Sequence, residues 1–150
     1  MARPAADMPS PAAAKKRASG MPTGNAGEYF VMGELLRRGL DAQFADRNTK
    51  GYDVLVGRPE EPTLRKVQVK TVRQAPWYVN NSGFEDDLLD RVTIYVLLGK
   101  PGSVAPVRYF VARNRDVVSG IHRPSGWDNH GFVSVKTVEA FEGRWELLLA

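Results

Sequence analysis

The sequence contains no cysteine and no long hydrophobic run, and these two absences exclude several classes of function. Without cysteine in its 150 residues, the chain has no disulfide, no thiolate metal site and no cysteine nucleophile. No apolar stretch approaches the roughly 20 residues that span a bilayer, and the N-terminus lacks the apolar core of about 7–15 residues found in signal peptides. We therefore expect a cytoplasmic protein with no membrane partner.

The composition favours one folded domain preceded by a short tail. With 43% hydrophobic residues, a chain of this length buries one ordinary core. Residues 1–22 are rich in Ala, Pro, Lys and Ser and have no periodic apolar pattern. Such a segment does not offset its own ordering entropy. We therefore expect residues 1–22 to be disordered and residues 23–150 to fold.

The tail carries most of the net charge, which is +4 for the whole chain. Its charged residues are Arg3, Asp7, Lys15, Lys16 and Arg17. Four positive charges and one negative charge leave +3 in the tail and +1 in the rest of the chain. The cluster Lys15, Lys16 and Arg17 is expected to contact nucleic-acid phosphates without reading sequence. A tail that only keeps the protein soluble would have the same composition.

Periodicity predicts one helix followed by a largely β body. Apolar residues recur at helical spacing from Gly24 until Gly39, which is a natural C-terminal stop. Strand-like runs follow at residues 42–45, 52–56, 65–72, 92–98, 107–111 and 132–135. The second and third of these runs are expected to form a hairpin, and the fourth and fifth an antiparallel pair. Residues 77–90 are predicted as a loop, residues 114–121 as a short helix, and the C-terminus as a segment packed on the body.

Four polar residues on these elements are candidates for a functional site: Glu28, Asp53, Gln68 and Lys70. Glu28 lies on the inward face of the predicted helix, although its spacing from Asn25 also fits a capping box. Asp53 begins a strand-like run, where aspartate is depleted, although a lone aspartate after Gly51 is ordinarily a turn residue. Gln68 and Lys70 share one strand face, which in an edge strand would simply be solvated. Jointly, the four residues predict one site.

These residue types suit a divalent metal ion and phosphodiester hydrolysis. Magnesium prefers hard oxygen ligands, so Asp53 is the expected direct ligand, and Gln68 and the backbone carbonyl of Val69 would add neutral oxygens. Lys70 would stabilise the charge of the transition state or orient the attacking water. Glu28 would hold a metal-bound water from the opposite side.

Over residues 24–73 the chain resembles the PD-(D/E)XK, or restriction-endonuclease-like, nucleases. The resemblance rests on Gly27-Glu28, Gly51-Tyr52-Asp53-Val54-Leu55 and Val67-Gln68-Val69-Lys70-Thr71. It points to small Holliday-junction-resolvase-like members and their uncharacterised bacterial relatives. It implies an α/β fold with a mixed central β-sheet flanked by helices. It also implies an endonuclease that acts on nucleic acid, expected to be DNA, and uses Mg²⁺, for which Mn²⁺ can substitute.

The resemblance assigns catalytic roles to Glu28, Asp53, Gln68 and Lys70, with one departure from the family pattern. Gln68 stands where the family usually has Glu or Asp, so the chain is a QxK variant with one carboxylate fewer and a weaker expected metal affinity. A catalytically inactive module for nucleic-acid binding or complex assembly is therefore the alternative function. Cutting both strands of a duplex would favour a homodimer, and a place as a subunit of a larger complex is the other arrangement considered.

Basic and aromatic residues near the proposed site have two interpretations each. Lys50, Lys66 and Arg73 are expected to neutralise phosphates, although charges along a strand edge also discourage aggregation. Trp77 and Tyr78 follow the proposed catalytic strand and are either base-stacking residues or core residues. His122 and His130 do not have the spacing of a recognisable metal-ligand pair, and we expect them to be surface or structural histidines.

Overall fold

A mixed five-stranded sheet forms the centre of the fold, which a computed structural model describes for residues 21–46, 48–49, 51–61 and 63–149. The helices are α1 (Met21–Arg37), α2 (Asn114–Val117) and α3 (Val135–Val138). The strands are β1 (Asp41–Phe44), β2 (Val54–Gly57), β3 (Arg65–Val72), β4 (Trp77–Asn80), β5 (Val92–Leu97), β6 (Arg108–Arg113) and β7 (His130–Val133). Short 3₁₀ turns connect several of these elements.

The strand order in the main sheet is β1-β2-β3-β5-β6, and β4 and β7 pair antiparallel in a separate two-stranded sheet. Strands β3 and β5 run parallel, and the other neighbours in the main sheet run antiparallel. The predicted hairpin of β2 with β3 and the predicted pairing of β5 with β6 are confirmed. The α/β fold with a mixed central sheet flanked by helices is confirmed as well.

Strand β3 is the middle strand of the sheet, so the solvated-edge interpretation of Gln68 and Lys70 is wrong. Its residues alternate between two environments. Val67 and Val69 are buried in one core together with Val31 of α1. Gln68 and Lys70 therefore point to the opposite face, because side chains alternate along a strand. The sheet thus separates the packing of α1 from the side chains of Gln68 and Lys70.

Helix α1 packs on β3 through the residues that its periodicity predicts. Val31 and Leu35 are fully buried, and the chain leaves the helix at Gly39, which has a φ of +79°. The helix includes Met21 and Pro22, so the expected boundary at residue 22 falls inside it. Asn25 is likewise within the helix, and the capping-box explanation of Glu28 is therefore wrong. The predicted tail residues 1–20 lie outside the described part of the chain.

A second core fills the opposite side of the sheet, between the sheet and the pair β4 and β7. It contains Trp77, Tyr95, Phe110 and Val133, and the indole N–H of Trp77 donates to the carbonyl of Val96 at 3.0 Å. The loop predicted for residues 77–90 is thus wrong at its start, where β4 forms. Two 3₁₀ turns, Asn81–Phe84 and Asp86–Leu88, occupy most of the remainder.

The C-terminal segment packs as predicted, because Trp145 and Leu148 are buried in the core beneath α1. The short helix predicted at residues 114–121 is present as α2 and the 3₁₀ turn that follows it. Within the residues that the structure describes, no helix has the length and apolar content to cross a membrane.

Candidate active site

The site is built where β2 and β3 separate. The last pair of the two strands is Val54 with Val67, and the N–H of Asp53 donates to the carbonyl of Val67 at 2.8 Å. Asp53 therefore lies beside the part of β3 that continues beyond its pairing with β2. One of its carboxylate oxygens, Oδ2, accepts a hydrogen bond from the N–H of Val69 at 2.8 Å and another from Nε2 of Gln68 at 2.9 Å. The sheet thus fixes the Asp53 carboxylate against two consecutive residues of β3.

The amide of Gln68 contacts two of the oxygens expected to bind metal. Its Nε2 lies 2.9 Å from Oδ2 of Asp53 and 3.5 Å from the carbonyl oxygen of Val69. An amide NH₂ is a donor toward both atoms, so it occupies a position next to them that a cation would otherwise take. For Gln68 to serve as a ligand, its amide must rotate and present Oε1 instead.

Lys70 lies two residues further along β3 and acts on the same carboxylate. Burial raises the pKa of Asp53 above its usual range, and this effect outweighs the lowering by the hydrogen bond from Val69 and by the positive charge of Lys70. The ammonium group is thus close enough to Asp53 to favour its ionised form. Asp53 and Lys70 thus bring an anion and a cation close together at this site.

Glu28 reaches this site from α1. It is half-buried, and burial followed by the negative charge of Asp53 raises its pKa above the usual range. The two carboxylates therefore lie near enough to repel each other. Like charges that share a partly buried site favour a proton or a cation between them.

The oxygen atoms at this site are of the types that bind a divalent metal, but only two of the groups that supply them are carboxylates. Asp53 and Glu28 supply carboxylates, and Gln68 and the carbonyl of Val69 supply neutral oxygens, which are ligand types that Mg²⁺ accepts. Among the described residues, no group of three or more His, Cys, Asp and Glu side chains is arranged to hold a metal ion.

A cavity of about 660 Å³ opens beside Gln68 and Lys70 on the face of the sheet opposite α1. Its other walls include Arg91 and Tyr95, together with the 3₁₀ turns after β4. The cavity places open space next to Gln68 and Lys70, where a substrate has room.

Arg91 and Tyr95 also line this cavity, although the sequence does not predict them as residues of the site. Arg91 immediately precedes β5, and its Nη1 donates to the carbonyl of Gly51 at 2.7 Å. Tyr95 lies opposite Lys70 in the parallel pairing of β3 and β5. Only this long-range register brings both residues to the site, and no local motif in the sequence marks it.

The other predicted nucleic-acid contacts have different environments. Lys66 is exposed, and its Nζ lies 5.0 Å from the centre of the Tyr52 ring. Arg73 donates from Nη1 to the carbonyl of Gly99 at 3.3 Å and is partly buried. Lys50, Lys15, Lys16 and Arg17 lie outside the described residues.

The aromatic and histidine alternatives are largely settled by burial. Trp77 is a core residue, with 1% of its surface exposed. Tyr78 is half-buried, and its ring lies 6.0 Å from that of Trp127. His122 is exposed and stacks on Phe132 at 4.7 Å, as expected for a surface histidine.

Comparison with known proteins identifies the fold. No protein-family model matches the sequence, and no curated protein matches it significantly. Among solved structures, the chain is similar to Hjc, a Holliday junction resolvase from the archaeal hyperthermophile Archaeoglobus fulgidus. The two have a TM-score of 0.51 and 15% sequence identity, over 78% of this chain and 88% of that chain.

The chain is also similar to the bacterial homing endonuclease I-Ssp6803I. Here the TM-score is 0.53 and the identity 14%, over 88% of this chain and 94% of that chain. At such identities the likeness establishes the fold alone. The restriction-endonuclease-like fold implied by the sequence motifs is thereby confirmed.

Proposed function

We propose that this chain is a metal-dependent endonuclease that hydrolyses phosphodiester bonds in nucleic acid, with DNA as the expected substrate. The observation that carries the proposal is the contact of Asp53 with β3, where its carboxylate accepts from Val69 at 2.8 Å and from Gln68 at 2.9 Å. Lys70 follows on the same strand face and faces the same cavity as Gln68. Gln68 and Lys70 thus adjoin space for a phosphate, and Gln68 connects that space to the carboxylate of Asp53.

Each residue has a distinct role in this proposal. Asp53, Gln68 and the carbonyl of Val69 would hold Mg²⁺ or Mn²⁺, which would polarise the phosphate and make the attacking water more acidic. Lys70 stabilises the negative charge that develops on the phosphate oxygens. Glu28 accepts a hydrogen bond from the attacking water, and its raised pKa makes it a better proton acceptor than an ordinary glutamate.

Two substitutions with matched controls test the proposal in a nicking assay on supercoiled plasmid DNA with Mg²⁺. Asp53→Asn and Lys70→Ala should each lower the cleavage rate at least about 100-fold, because the first removes the carboxylate that would hold the metal and the second removes the cation that would stabilise the transition state. Asp41→Asn and Lys100→Ala alter exposed residues of the same types and should leave the rate unchanged. Thermal unfolding of all four variants checks that they fold. Cleavage that persists in both site variants, or in EDTA, would contradict the proposal.

A catalytically inactive nucleic-acid-binding module is the second candidate, and the amide of Gln68 favours it. Because Nε2 of Gln68 already donates toward Asp53 and the carbonyl of Val69, the site satisfies its own oxygens without a cation. Such a protein would bind DNA equally well in Mg²⁺ and in EDTA, and would cleave in neither. Wild-type cleavage that requires Mg²⁺ or Mn²⁺ excludes this candidate.

A further inference from the structure

The cavity beside Gln68 and Lys70 has a shape and chemistry that go beyond the hydrolysis of a phosphate. Its volume of about 660 Å³ lies in the range of small-molecule sites, roughly 300–1,000 Å³. A single phosphate group fills only a small part of such a space. The rest of the cavity is therefore available to another part of the substrate.

The walls of the cavity combine cations with apolar surface. Lys70 and Arg91 both line it, and none of the lining residues that the structure describes carries a carboxylate. Phe84 and Leu88 supply apolar walls, and Asn80 and Ser82 add polar groups. A nucleotide needs this combination, because its phosphate seeks cations, its base faces seek apolar or aromatic contact, and its base edges seek hydrogen bonds.

A buried hydrogen-bond network holds one wall in place. Oγ1 of Thr93 donates to Oδ1 of Asn114 at 2.7 Å, and Nδ2 of Asn114 donates to the carbonyl of Leu88 at 2.9 Å and to that of Gly83 at 3.3 Å. Asn114 is 4% exposed, so these bonds are shielded from water. The network ties both 3₁₀ turns to the sheet, and the cavity is therefore formed before any ligand enters.

Tyr95 closes the cavity on the side of β5. It lines the cavity and is fully buried, and the side chain of Thr93 lies close enough to its hydroxyl to lower the pKa that burial raises. Tyr95 therefore belongs to the fixed wall of the cavity rather than to the groups that a ligand reaches.

We propose that this cavity takes one unpaired nucleotide next to the cleaved bond, an inference that rests on the proposed nuclease function. A base within a duplex is covered on both faces by its neighbours, and its pairing edge is occupied. Only an unstacked base presents its faces to Phe84 and Leu88 and an edge to Asn80, which also lines the cavity. The substrate class is thus nucleic acid with an unpaired nucleotide at the site, either in a single strand or as a bulge in a duplex.

Binding measured by fluorescence anisotropy in EDTA tests the proposal without cleavage. The probes are a perfect duplex, the same duplex with one unpaired 2-aminopurine, and a single strand that contains 2-aminopurine. The wild type should bind at least one of the two unpaired probes at least tenfold more tightly than the perfect duplex, with a change in 2-aminopurine fluorescence. The unpaired probe that binds more tightly shows whether the nucleotide comes from a single strand or from a bulge in a duplex. Equal affinity for all three probes would overturn the proposal.

Variants of the cavity provide the second part of the test. Ser82→Trp fills the cavity from an exposed position and should remove the preference while leaving the affinity for perfect duplex unchanged. Ser125→Trp places the same side chain on an exposed residue that does not line the cavity and should keep the preference. A preference that survives in Ser82→Trp would contradict the assignment to this cavity.

The same probes in Mg²⁺ separate failure of this inference from failure of the proposed function. A wild-type protein that cleaves no probe but keeps its preference in EDTA refutes nuclease activity and supports the binding role of the cavity. A wild-type protein that cleaves the perfect duplex and binds all three probes equally supports the nuclease and overturns this inference.

Discussion

At the scale of single residues, the contact between Gln68 and Asp53 determines how the site responds to a change of charge. The amide donates to a carboxylate whose pKa burial already raises. It therefore stabilises the ionised form of Asp53 without adding a charge of its own. A substitution that replaces the Gln68 amide with an acceptor removes this hydrogen bond. It also places two acceptors next to each other, and these repel.

Gln68→Glu is the change that tests this contact most directly. Without metal, the new carboxylate repels Asp53 and removes the bond of 2.9 Å, so the free energy of unfolding should fall by about 1–2 kcal/mol. With metal, the third carboxylate should tighten Mg²⁺ binding on the order of tenfold, because affinity follows ligand charge. Thermal unfolding across a Mg²⁺ titration measures both effects. Gln43→Glu, at an exposed residue of β1, serves as the control, and a metal titration unchanged by Gln68→Glu would show that residue 68 is not a ligand.

The pH dependence of stability reports on Glu28. Its pKa in the folded protein is raised above the ordinary 4.5, first by burial and then by Asp53. Above pH 4.5, and up to its raised pKa, the native state holds more protons than the unfolded state, so the free energy of unfolding falls as the pH rises through this interval. This decrease in the free energy of unfolding is complete above the raised pKa of Glu28 and absent below pH 4.5.

Glu28→Gln should therefore be more stable than the wild type at pH 7 and equal to it below pH 4.5. Because Glu28 is only half-buried, solvent screening limits the gain to less than about 1 kcal/mol. Urea denaturation at several pH values measures the difference, with the exposed Glu60→Gln as the control. A difference that does not change with pH, or that favours the wild type at pH 7, would contradict the assigned cause.

The sequence indicates which residues are candidates for one site, but it does not reveal how their side chains are arranged. Glu28 and Asp53 stand out because carboxylates are unusual on the inward face of a helix and in a strand, and Gln68 and Lys70 are grouped with them because they share one strand face. The donor geometry of the Gln68 amide leaves no trace in the sequence, because it depends on where β2 separates from β3. The same limit applies to the hydroxyl of Tyr95, whose burial follows from packing against Trp77 with ring centres 5.5 Å apart.

At the scale of elements, α1 lies so close to β3 that only a glycine fits at the contact. A Cβ added to Gly27 would lie 1.7 Å from Oγ1 of Thr71 and 2.6 Å from its Cβ. The next residue in the helix is Glu28, so this close approach also sets how far the Glu28 carboxylate reaches toward Asp53.

Gly27→Ala should therefore destabilise the protein and weaken any cleavage activity. Overpacking of this kind costs about 1–3 kcal/mol. Gly33→Ala is the matched control in the same helix, since a Cβ there meets nothing within 4 Å and should stabilise the helix by up to about 1 kcal/mol. Urea denaturation gives both values. Adding Thr71→Ala to Gly27→Ala should restore part of the loss, and a Gly27→Ala variant as stable as Gly33→Ala would disprove the close contact.

Periodicity identifies α1, β3 and β5 because each has a local signal, either helical spacing, alternation or a continuous apolar run. Strand β4 has only four residues, and it pairs with β7 near the other end of the chain. Its stability comes from that pairing and from the burial of Trp77 and Val79, neither of which a local window of sequence contains. The prediction of a loop at this position was wrong for that reason.

At the scale of the whole molecule, charge is distributed unevenly between the first residues and the rest of the chain. Residues 1–22 have a net charge of +3, from four basic residues and Asp7, and the remaining residues carry +1. A nearly neutral body attracts DNA weakly over a distance, and an added basic segment increases the attraction without choosing a sequence. The contribution of Lys15, Lys16 and Arg17 to binding remains a prediction.

Deletion of residues 1–20, which leaves α1 complete, should weaken binding to all DNA sequences equally. Each phosphate contact that is lost should lower the slope of log affinity against log salt by about 0.9 on duplex DNA. Replacement of Lys15, Lys16 and Arg17 by Gln in the full chain should reproduce most of the change, because these residues would act as point charges. Affinities for two unrelated duplexes across a salt series, measured for all three proteins, provide the test. Identical salt slopes would reduce the segment to a solubility tail, whereas loss of preference for one duplex on deletion would mean that the segment reads sequence.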